Sequence, residues 1–143
     1  MVAAAVAAAG DQTRCGILAV TVLTSLTSAE VAESWGKPPE GVDSTAEVLR
    51  LSGLAAAKGA FGVVCSGREA AAVRSRFGSE LAMLIPGVRP LGSAAQDQAR
   101  VATPREAVEA GAKYVVLGRA VTGASDPADA MDRINAEVAA AAR

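Results

Sequence analysis

Four short apolar runs, each too short for a typical helix, constrain the fold of this chain most strongly. They occupy residues 17–23, 61–65, 81–85 and 114–117, and Gly, Pro, Ser or Thr residues bound each of them. Their apolar residues are nearly continuous, which is typical of strands buried on both faces of a parallel sheet. A buried helix segment is the alternative for any single run. The set predicts a parallel α/β fold.

The segments between the apolar runs carry signals for helix starts and helix ends. Strands that alternate with helices imply right-handed βαβ crossovers, so we expect one α/β domain over residues 1–143. Short helices are also expected over residues 1–9 and near residues 29–35. The predicted helix starts are Ser44, Ser66, Thr103 and Asp126, and the glycines expected to end the first three helices are Gly59, Gly78 and Gly111.

The chain contains no histidine. Ser-His-Asp and Cys-His nucleophile systems, and metal sites that use histidine, therefore cannot be assembled from its own residues. Cys15 and Cys65 cannot by themselves form a structural zinc site. They also lack the pattern of a disulfide framework, so the reducing cytoplasm is the expected location.

Charge and hydropathy argue against two classes of partner. The formal net charge is −1 and the isoelectric point is about 5.5, which argues against a broad nucleic-acid-binding surface. No apolar run approaches the roughly 18 residues of a membrane span, and the alanine-rich start lacks the basic residues of a signal peptide. We therefore expect neither a nucleic acid nor a membrane as a partner.

Glycine and arginine residues follow the last two apolar runs. Gly87 and Arg89 follow the third run, and Gly118 and Arg119 follow the fourth. Binding sites of parallel α/β proteins collect at the carboxyl ends of strands. Glycine allows close approach of the backbone to a ligand, and arginine offers a planar set of donors to phosphate oxygens. A phosphate site is one interpretation, and two surface arginines beside turn glycines are the other.

Two further segments are candidates for ligand contacts. Residues 88–100 are long for a strand-to-helix connection, which usually has about 2–6 residues. This segment is either a lid or a solvated surface loop. Thr24 and Ser25 follow the first run and either bind a polar ligand or cap the next helix. Cys65 is interpreted as a small core residue and Asp126 as a helix cap.

Six motifs that occur in a fixed order resemble the orotidine 5′-phosphate decarboxylase family. The resemblance implies half of a (β/α)8 TIM barrel, strands five to eight, with residues 1–9 as the helix that follows strand four. A complete barrel needs roughly 200 residues or more, which exceeds the 143 residues of this chain. The motifs are LAVTVLTS (18–25), GVVCS (62–66), PGVRP (86–90), DQAR (97–100), TP (103–104) and GRAVT (118–122).

The resemblance implies a phosphate site at the ends of the last two strands. Arg119 would bind the substrate phosphate, with help from the backbone of Gly118. Arg89 would lie at the start of the loop that closes over the phosphate. Gln98 would reach from that loop to both the phosphate and the pyrimidine.

The resemblance also implies a pyrimidine site and shows two departures from the family pattern. Thr24, with Ser25 beside it, would hydrogen-bond the pyrimidine edge. Ala120 stands where the family usually has a proline, which is expected to loosen the turn near the phosphate. Lys113 replaces a usual acidic residue and is interpreted as surface variation.

The activity implied by the resemblance is decarboxylation of orotidine 5′-phosphate (OMP) to UMP and CO2, in de novo pyrimidine biosynthesis. The resemblance also implies a homodimer that needs no metal or organic cofactor. The family's Asp-x-Lys-x-x-Asp catalytic element does not occur in this sequence. No catalytic residue is therefore assigned, and the chain alone is expected to be inactive. The alternatives are a non-catalytic phosphate- or nucleotide-binding half-barrel that assembles with a partner, and a different phosphate-handling barrel enzyme.

Overall fold

A parallel sheet forms the centre of the computed structural model, which describes residues 1–11, 15–90 and 102–141. The strand order follows the chain order, and each neighbouring pair is parallel. This arrangement confirms the predicted parallel α/β class. The four strands of the described residues are β1 (Leu18–Val20), β2 (Gly62–Val64), β3 (Ala82–Ile85) and β4 (Tyr114–Val115).

The strands are shorter than the apolar runs that predicted them, but the sheet hydrogen bonds continue past their ends. The Thr21 N–H donates to the Val64 carbonyl at 3.2 Å, and the Cys65 N–H donates to the Leu84 carbonyl at 3.3 Å. The Val116 N–H donates to the Ile85 carbonyl at 3.0 Å. The runs therefore give the correct elements, and the differences are confined to the boundaries.

Helices connect the strands, as the alternating pattern predicts. The expected helices at the start of the chain and near residues 29–35 are both present. A four-residue helix separated from β4 by three residues is an element that the sequence did not predict. The helices of the described residues are α1 (Val2–Ala9), α2 (Ser28–Ser34), α3 (Ser44–Ala56), α4 (Gly67–Phe77), α5 (Pro104–Glu109), α6 (Arg119–Thr122) and α7 (Pro127–Ala141), with a 3₁₀ turn at Pro39–Gly41.

The start of α5 is the capping box that its sequence predicts. The Thr103 hydroxyl accepts from the Glu106 N–H at 3.1 Å, and the Glu106 carboxylate accepts from the Thr103 N–H at 2.7 Å. At the start of α4, Ser66 instead accepts from the Arg68 N–H and donates its own proton to the Glu69 carboxylate. The same four-residue spacing therefore produces two different cap arrangements.

The predicted start of α3 at Ser44 matches the first residue of the helix, but Ser44 does not cap it. Asp43 is the N-cap, because its carboxylate accepts from the N–H groups of Thr45 and Ala46 at 2.9 and 3.1 Å. The Ser44 hydroxyl lies 2.9 Å from the Ser28 hydroxyl. A carboxylate at the N-cap also interacts favourably with the positive end of the helix dipole.

Three glycines follow the helices that they were expected to end. Gly59, Gly78 and Gly111 have φ values of +71°, +57° and +85°. Residues with a Cβ adopt this left-handed region only at a cost, so glycine is the residue best suited to reverse the chain there.

The two faces of the sheet differ in how well they are covered. Val63, Met83 and Ile85 share one face and are fully buried with residues of α3, α4 and α5. Val20 and Tyr114 lie in the same row of the opposite face and are 59% and 42% exposed. The expectation of burial on both faces is therefore wrong for the edge strands, because the helices that build the core pack on the other side of the sheet.

Candidate functional site

The carboxyl ends of all four strands lie at one edge of the sheet, because the strands are parallel. Thr24 and Ser25 follow β1, and Ser66 follows β2. Arg89 follows β3 and Gly118 follows β4. We refer to this side of the sheet as the carboxyl edge. The chain's polar candidates therefore share the edge at which α/β proteins usually bind ligands.

Arg89 is a buried cation at the carboxyl edge. Its side chain is only 6% exposed, and its Nη1 donates to the Val88 carbonyl at 2.8 Å. Within the described residues, the guanidinium makes no ion pair with a carboxylate. A buried charge is costly unless a counter-charge or hydrogen bonds compensate it. Arg89 is therefore well suited to receive an anionic ligand group.

A bridge between two chain segments closes the base of the long loop. Val88 and Ala102 form a parallel bridge, and the Arg89 N–H donates to the Ala102 carbonyl at 2.9 Å. Gly67, the first residue of α4, lies so close that an added Cβ would collide with the Ala102 methyl group. This role of Gly67 was missed, because the sequence marks it only as a residue inside a cap.

The candidate residue Gln98 lies outside the described residues, as do residues 91–100 of the predicted lid over residues 88–100. The described ends of that segment are Pro90 on one side and Ala102 on the other. The structure therefore describes where the segment leaves the sheet and where it returns. The role of Gln98 stays a prediction.

Thr24 and Ser25 do not cap the helix that follows them. Thr27 is the N-cap of α2, since its hydroxyl accepts from the Glu30 N–H at 3.3 Å and Glu30 completes a capping box. Thr24 is buried at the carboxyl edge and Ser25 is exposed beside it. Contact of this pair with a polar ligand stays a prediction.

Gly118 and Arg119 lie where β4 passes into α6. The Gly118 carbonyl accepts from the N–H groups of Val121 and Thr122 at 2.9 and 3.1 Å. Among the described residues, apart from Gly118 itself and its two chain neighbours, no heavy atom lies within 4 Å of the position that a Gly118 Cβ would take. The exposed Arg119 is the first residue of α6. A ligand could therefore approach the backbone closely at this point.

The two departures from the family pattern lie in different places. Ala120 is part of α6, at the carboxyl edge. The Lys113 ammonium lies 4.9 Å from the centroid of the Phe61 ring, at the opposite edge of the sheet. Lys113 is exposed there, so this departure does not involve the candidate site.

A buried acidic residue near the end of β2 was also missed. Glu69 is 2% exposed and Ser66 is fully buried, and the Ser66 hydroxyl donates to the Glu69 carboxylate. Glu69 lies three residues after the predicted helix start at Ser66, a position typical of an exposed acid in the first turn of a helix, so the sequence does not indicate its burial. Cys65, beside them, is fully buried as predicted for a core residue.

Two classes of feature were searched for in residues 1–11, 15–90 and 102–141. No group of three or more Cys, Asp or Glu side chains there is arranged as a metal site. No helix in these ranges is long and apolar enough to cross a membrane.

The fold and the carboxyl edge define a class: a parallel α/β chain that contains half of a barrel sheet, with polar residues at the edge where such barrels bind ligands. Comparison with known families identifies the member of that class. The model of the orotidine 5′-phosphate decarboxylase / HUMPS family matches residues 1–134, and the chain belongs to this family.

Individual relatives confirm the resemblance that the motifs indicate. The chain is 52% identical over 141 residues to orotidine 5′-phosphate decarboxylase of Halorhodospira halophila, covering 97% of this chain and 57% of that protein. It is 52% identical over 137 residues to the protein of the same name from Anaeromyxobacter sp. strain K, again covering 57% of the relative.

Solved structures confirm the fold. Orotidine 5′-phosphate decarboxylase from Lactobacillus acidophilus superposes with a TM-score of 0.69 and 32% identity, over 86% of this chain and 49% of that one. The chain thus spans about half the length of the relatives that it matches. Its four parallel strands with flanking helices correspond to part of the TIM barrel of these proteins.

Proposed function

We propose that this chain carries the phosphate- and pyrimidine-binding part of an orotidine 5′-phosphate decarboxylase, which converts OMP to UMP and CO2. The observation that carries the proposal is the buried Arg89 guanidinium at the carboxyl edge, which has no ion-pair partner among the described residues. The 52% identity to the Halorhodospira decarboxylase supports the choice of substrate.

The phosphate is proposed to bind between the ends of β3 and β4. Arg119 supplies one guanidinium from the start of α6, and Arg89 supplies the second from the base of the loop. The backbone of Gly118 contributes a contact, for which the open space beside its Cα leaves room. Arginine suits this task because its donors match phosphate oxygens in pairs. Gln98 is proposed to reach the phosphate and the pyrimidine from the loop.

The pyrimidine is proposed to bind nearer the end of β1. Thr24 is buried there, and its hydroxyl can both donate and accept a hydrogen bond. Ser25 is exposed next to it and adds a second hydroxyl. Such a pair complements the alternating donors and acceptors at the edge of a uracil ring.

The proposed reaction breaks the bond between C6 of the pyrimidine and its carboxylate. The electron pair stays on C6 as CO2 leaves, and a proton then replaces the carboxylate. The family resemblance assigns stabilisation and protonation of C6 to a lysine of the Asp-x-Lys-x-x-Asp network, which this sequence does not contain. The proposed contribution of this chain is binding energy at the phosphate, remote from the reacting carbon.

Calorimetric titration with UMP tests the binding proposal. The wild-type chain is expected to bind UMP saturably, and Arg89→Ala is expected to weaken binding by about 10- to 100-fold, since a charged hydrogen bond contributes about 1.5–3 kcal/mol. Arg76→Ala is the matched control, because Arg76 is exposed in the last turn of α4, away from the carboxyl edge. A folded wild-type chain that does not bind UMP would contradict the proposal.

Turnover separates the decarboxylase from a binding module. The chain alone is expected to release no CO2 from OMP. Addition of the amino-terminal part of the Halorhodospira relative, up to the matched region, is expected to restore decarboxylation. Turnover by the chain alone would overturn the assignment of catalysis to residues that this sequence does not contain. UMP binding without restored turnover would favour the non-catalytic half-barrel.

The proposal extends to location and partners. We propose a cytoplasmic location, in agreement with the two free cysteines, Cys15 and Cys65. The proposed ligand is a small nucleotide rather than a nucleic acid. The homodimer that the resemblance implies for the intact enzyme stays a prediction.

A further inference from the structure

The first turn of α4 contains a buried acid to which the proposed function gives no role. Glu69 is 2% exposed, and the other buried charged side chain among the described residues is that of Arg89. Glu69 follows β2 and Arg89 follows β3, so the two residues lie at the carboxyl edge, beyond neighbouring strands. Carboxylates are almost never fully buried unless their surroundings compensate the charge, so the position of Glu69 is tied to its contacts.

The Glu69 carboxylate fixes the N-cap of α4. Ser66 is fully buried, and its hydroxyl donates to the Glu69 carboxylate. The same Ser66 oxygen accepts from the Arg68 N–H at 3.3 Å. A hydroxyl that donates to one group and accepts from another has its orientation set by both partners. The two hydrogen bonds thereby hold the first turn of α4, in which Gly67 lies between Ser66 and Glu69.

The first turn of α4 packs directly on the base of the long loop. Gly67 lies so close to Ala102 that an added Cβ would collide with the Ala102 methyl group. Ala102 is buried and forms the bridge to Val88, and its carbonyl accepts from the Arg89 N–H at 2.9 Å. A displacement of the first turn of α4 therefore reaches the Arg89 backbone through one intervening residue.

We propose that Glu69 is a positioning residue for phosphate binding. It acts through Ser66 and the contact of Gly67 with Ala102, and it keeps Arg89 where its guanidinium meets the phosphate. Glu69 itself does not touch the ligand in this arrangement, because a carboxylate would repel a phosphate. The inference rests on the proposed function, since that proposal assigns Arg89 to the phosphate.

Calorimetric titration of four chains with UMP tests this role: the wild type, Glu69→Ala, Arg89→Ala and the double variant. Glu69→Ala is expected to weaken UMP binding about 10-fold, a size typical of residues that act on a site without touching the ligand. In the Arg89→Ala background the same substitution is expected to change binding by less than about twofold, because the group that Glu69 positions is gone. A merely structural role would give the same further loss in both backgrounds, and that result would overturn the inference.

Glu30→Ala is the matched control. Glu30 is the acid at the corresponding position of α2, where it forms an exposed capping box with Thr27. The helix α2 follows β1, whereas the bridge at the loop base follows β3. UMP binding by Glu30→Ala is expected to stay within about twofold of the wild type, as for a substitution away from the phosphate site. A loss equal to that of Glu69→Ala would overturn the inference.

Hydrogen exchange in the ligand-free chain tests the positioning step separately from the proposed function. The Arg89 amide is expected to exchange about 10-fold faster in Glu69→Ala than in the wild type, because local opening frees its hydrogen bond to Ala102. The amides of β2 serve as the internal control and are expected to keep their rates. An unchanged Arg89 rate in a folded variant would overturn the inference, whatever the UMP result. A wild-type chain that does not bind UMP would instead overturn the proposed function, and with it the role of Glu69 in phosphate binding.

Conservative variants identify the hydrogen bond as the route. Glu69→Gln keeps an oxygen that accepts from the Ser66 hydroxyl, so UMP binding is expected within about threefold of the wild type. A loss as large as that of Glu69→Ala would overturn this route. Ser66→Ala removes the same hydrogen bond with the loss of one oxygen atom, and it replaces Glu69→Ala in these measurements if circular dichroism shows that Glu69→Ala does not fold.

Discussion

The sheet has a covered face, which bears Val63, Met83 and Ile85, and an open face, which bears Val20, Val64 and Tyr114. Both faces are apolar, yet only the covered face forms a core. Val63 and Val64 are neighbours in β2, and Val63 is fully buried while Val64 is half-buried. Val63 packs with residues of the helices, such as Val48 of α3 and Val73 of α4. The comparison shows that the apolar runs determine where the strands form. Which face of the sheet is buried depends on the side on which the helices pack.

Truncation of one side chain on each face should give the largest difference. Met83→Ala on the covered face is expected to lower the free energy of unfolding by about 3 kcal/mol, because it leaves a cavity in a packed core. Val20→Ala on the open face should cost less than about 1 kcal/mol in dilute solution, since Val20 is 59% exposed. Urea denaturation at low protein concentration measures both values. Equal losses for the two variants in dilute solution would contradict the distinction between the faces.

The N-cap of α3 tests how the covered face is held in place. Asp43→Ala is expected to lower the free energy of unfolding by about 1 kcal/mol, as is usual for loss of an N-cap. Ser44→Ala, one residue further, should change it by no more than about 0.5 kcal/mol, as for most surface substitutions. Thermal or urea unfolding of the two variants provides the measurement, and a larger loss for Ser44→Ala would contradict the assignment of Asp43 as the N-cap of α3.

The smallest expected effect is a pH dependence at the start of α5. The Thr103 backbone N–H, and then its hydroxyl, lower the pKa of Glu106 from its usual value of 4.5. A carboxyl whose folded pKa is lowered contributes stability above its unfolded pKa and loses it as the pH falls through the folded value. The stability of Glu106→Gln should therefore fall less than that of the wild type between neutral and acidic pH.

Unfolding midpoints measured at several pH values between 7 and 3 check this prediction. Glu47 provides a comparison on α3, because hydrogen bonds from Lys37 and Arg50 lower its pKa. If Glu106→Gln and the wild type lose stability in parallel, the capping box contributes no pH dependence.

Local sequence signals predicted much of the fold. The apolar runs gave all four strands in order, and the Thr103, Pro104 and Glu106 spacing gave the start of α5. These features depend on residues close together in the chain. Exposure of Val20 and Tyr114 could not be predicted in this way, because it depends on which side of the sheet the helices pack.

The sequence predicted where the candidate site residues lie relative to the strands, but not how buried they are or which residues they contact. Thr24, Arg89 and Gly118 follow their strands as expected. The burial of Arg89 and the close approach of Gly67 to Ala102 depend on segments that meet only after folding. No local pattern in the sequence encodes such contacts.

The proposed function requires that the carboxyl edge bind a phosphate monoester with residues of this chain. The most direct measurement is an NMR titration with UMP that follows assigned backbone amides. Saturable shifts are expected at Arg89, Gly118 and Arg119, while Gly59 and Gly111, at the opposite edge of the sheet, should not move. Shifts confined to that opposite edge, or no saturable shift at all, would contradict the claim.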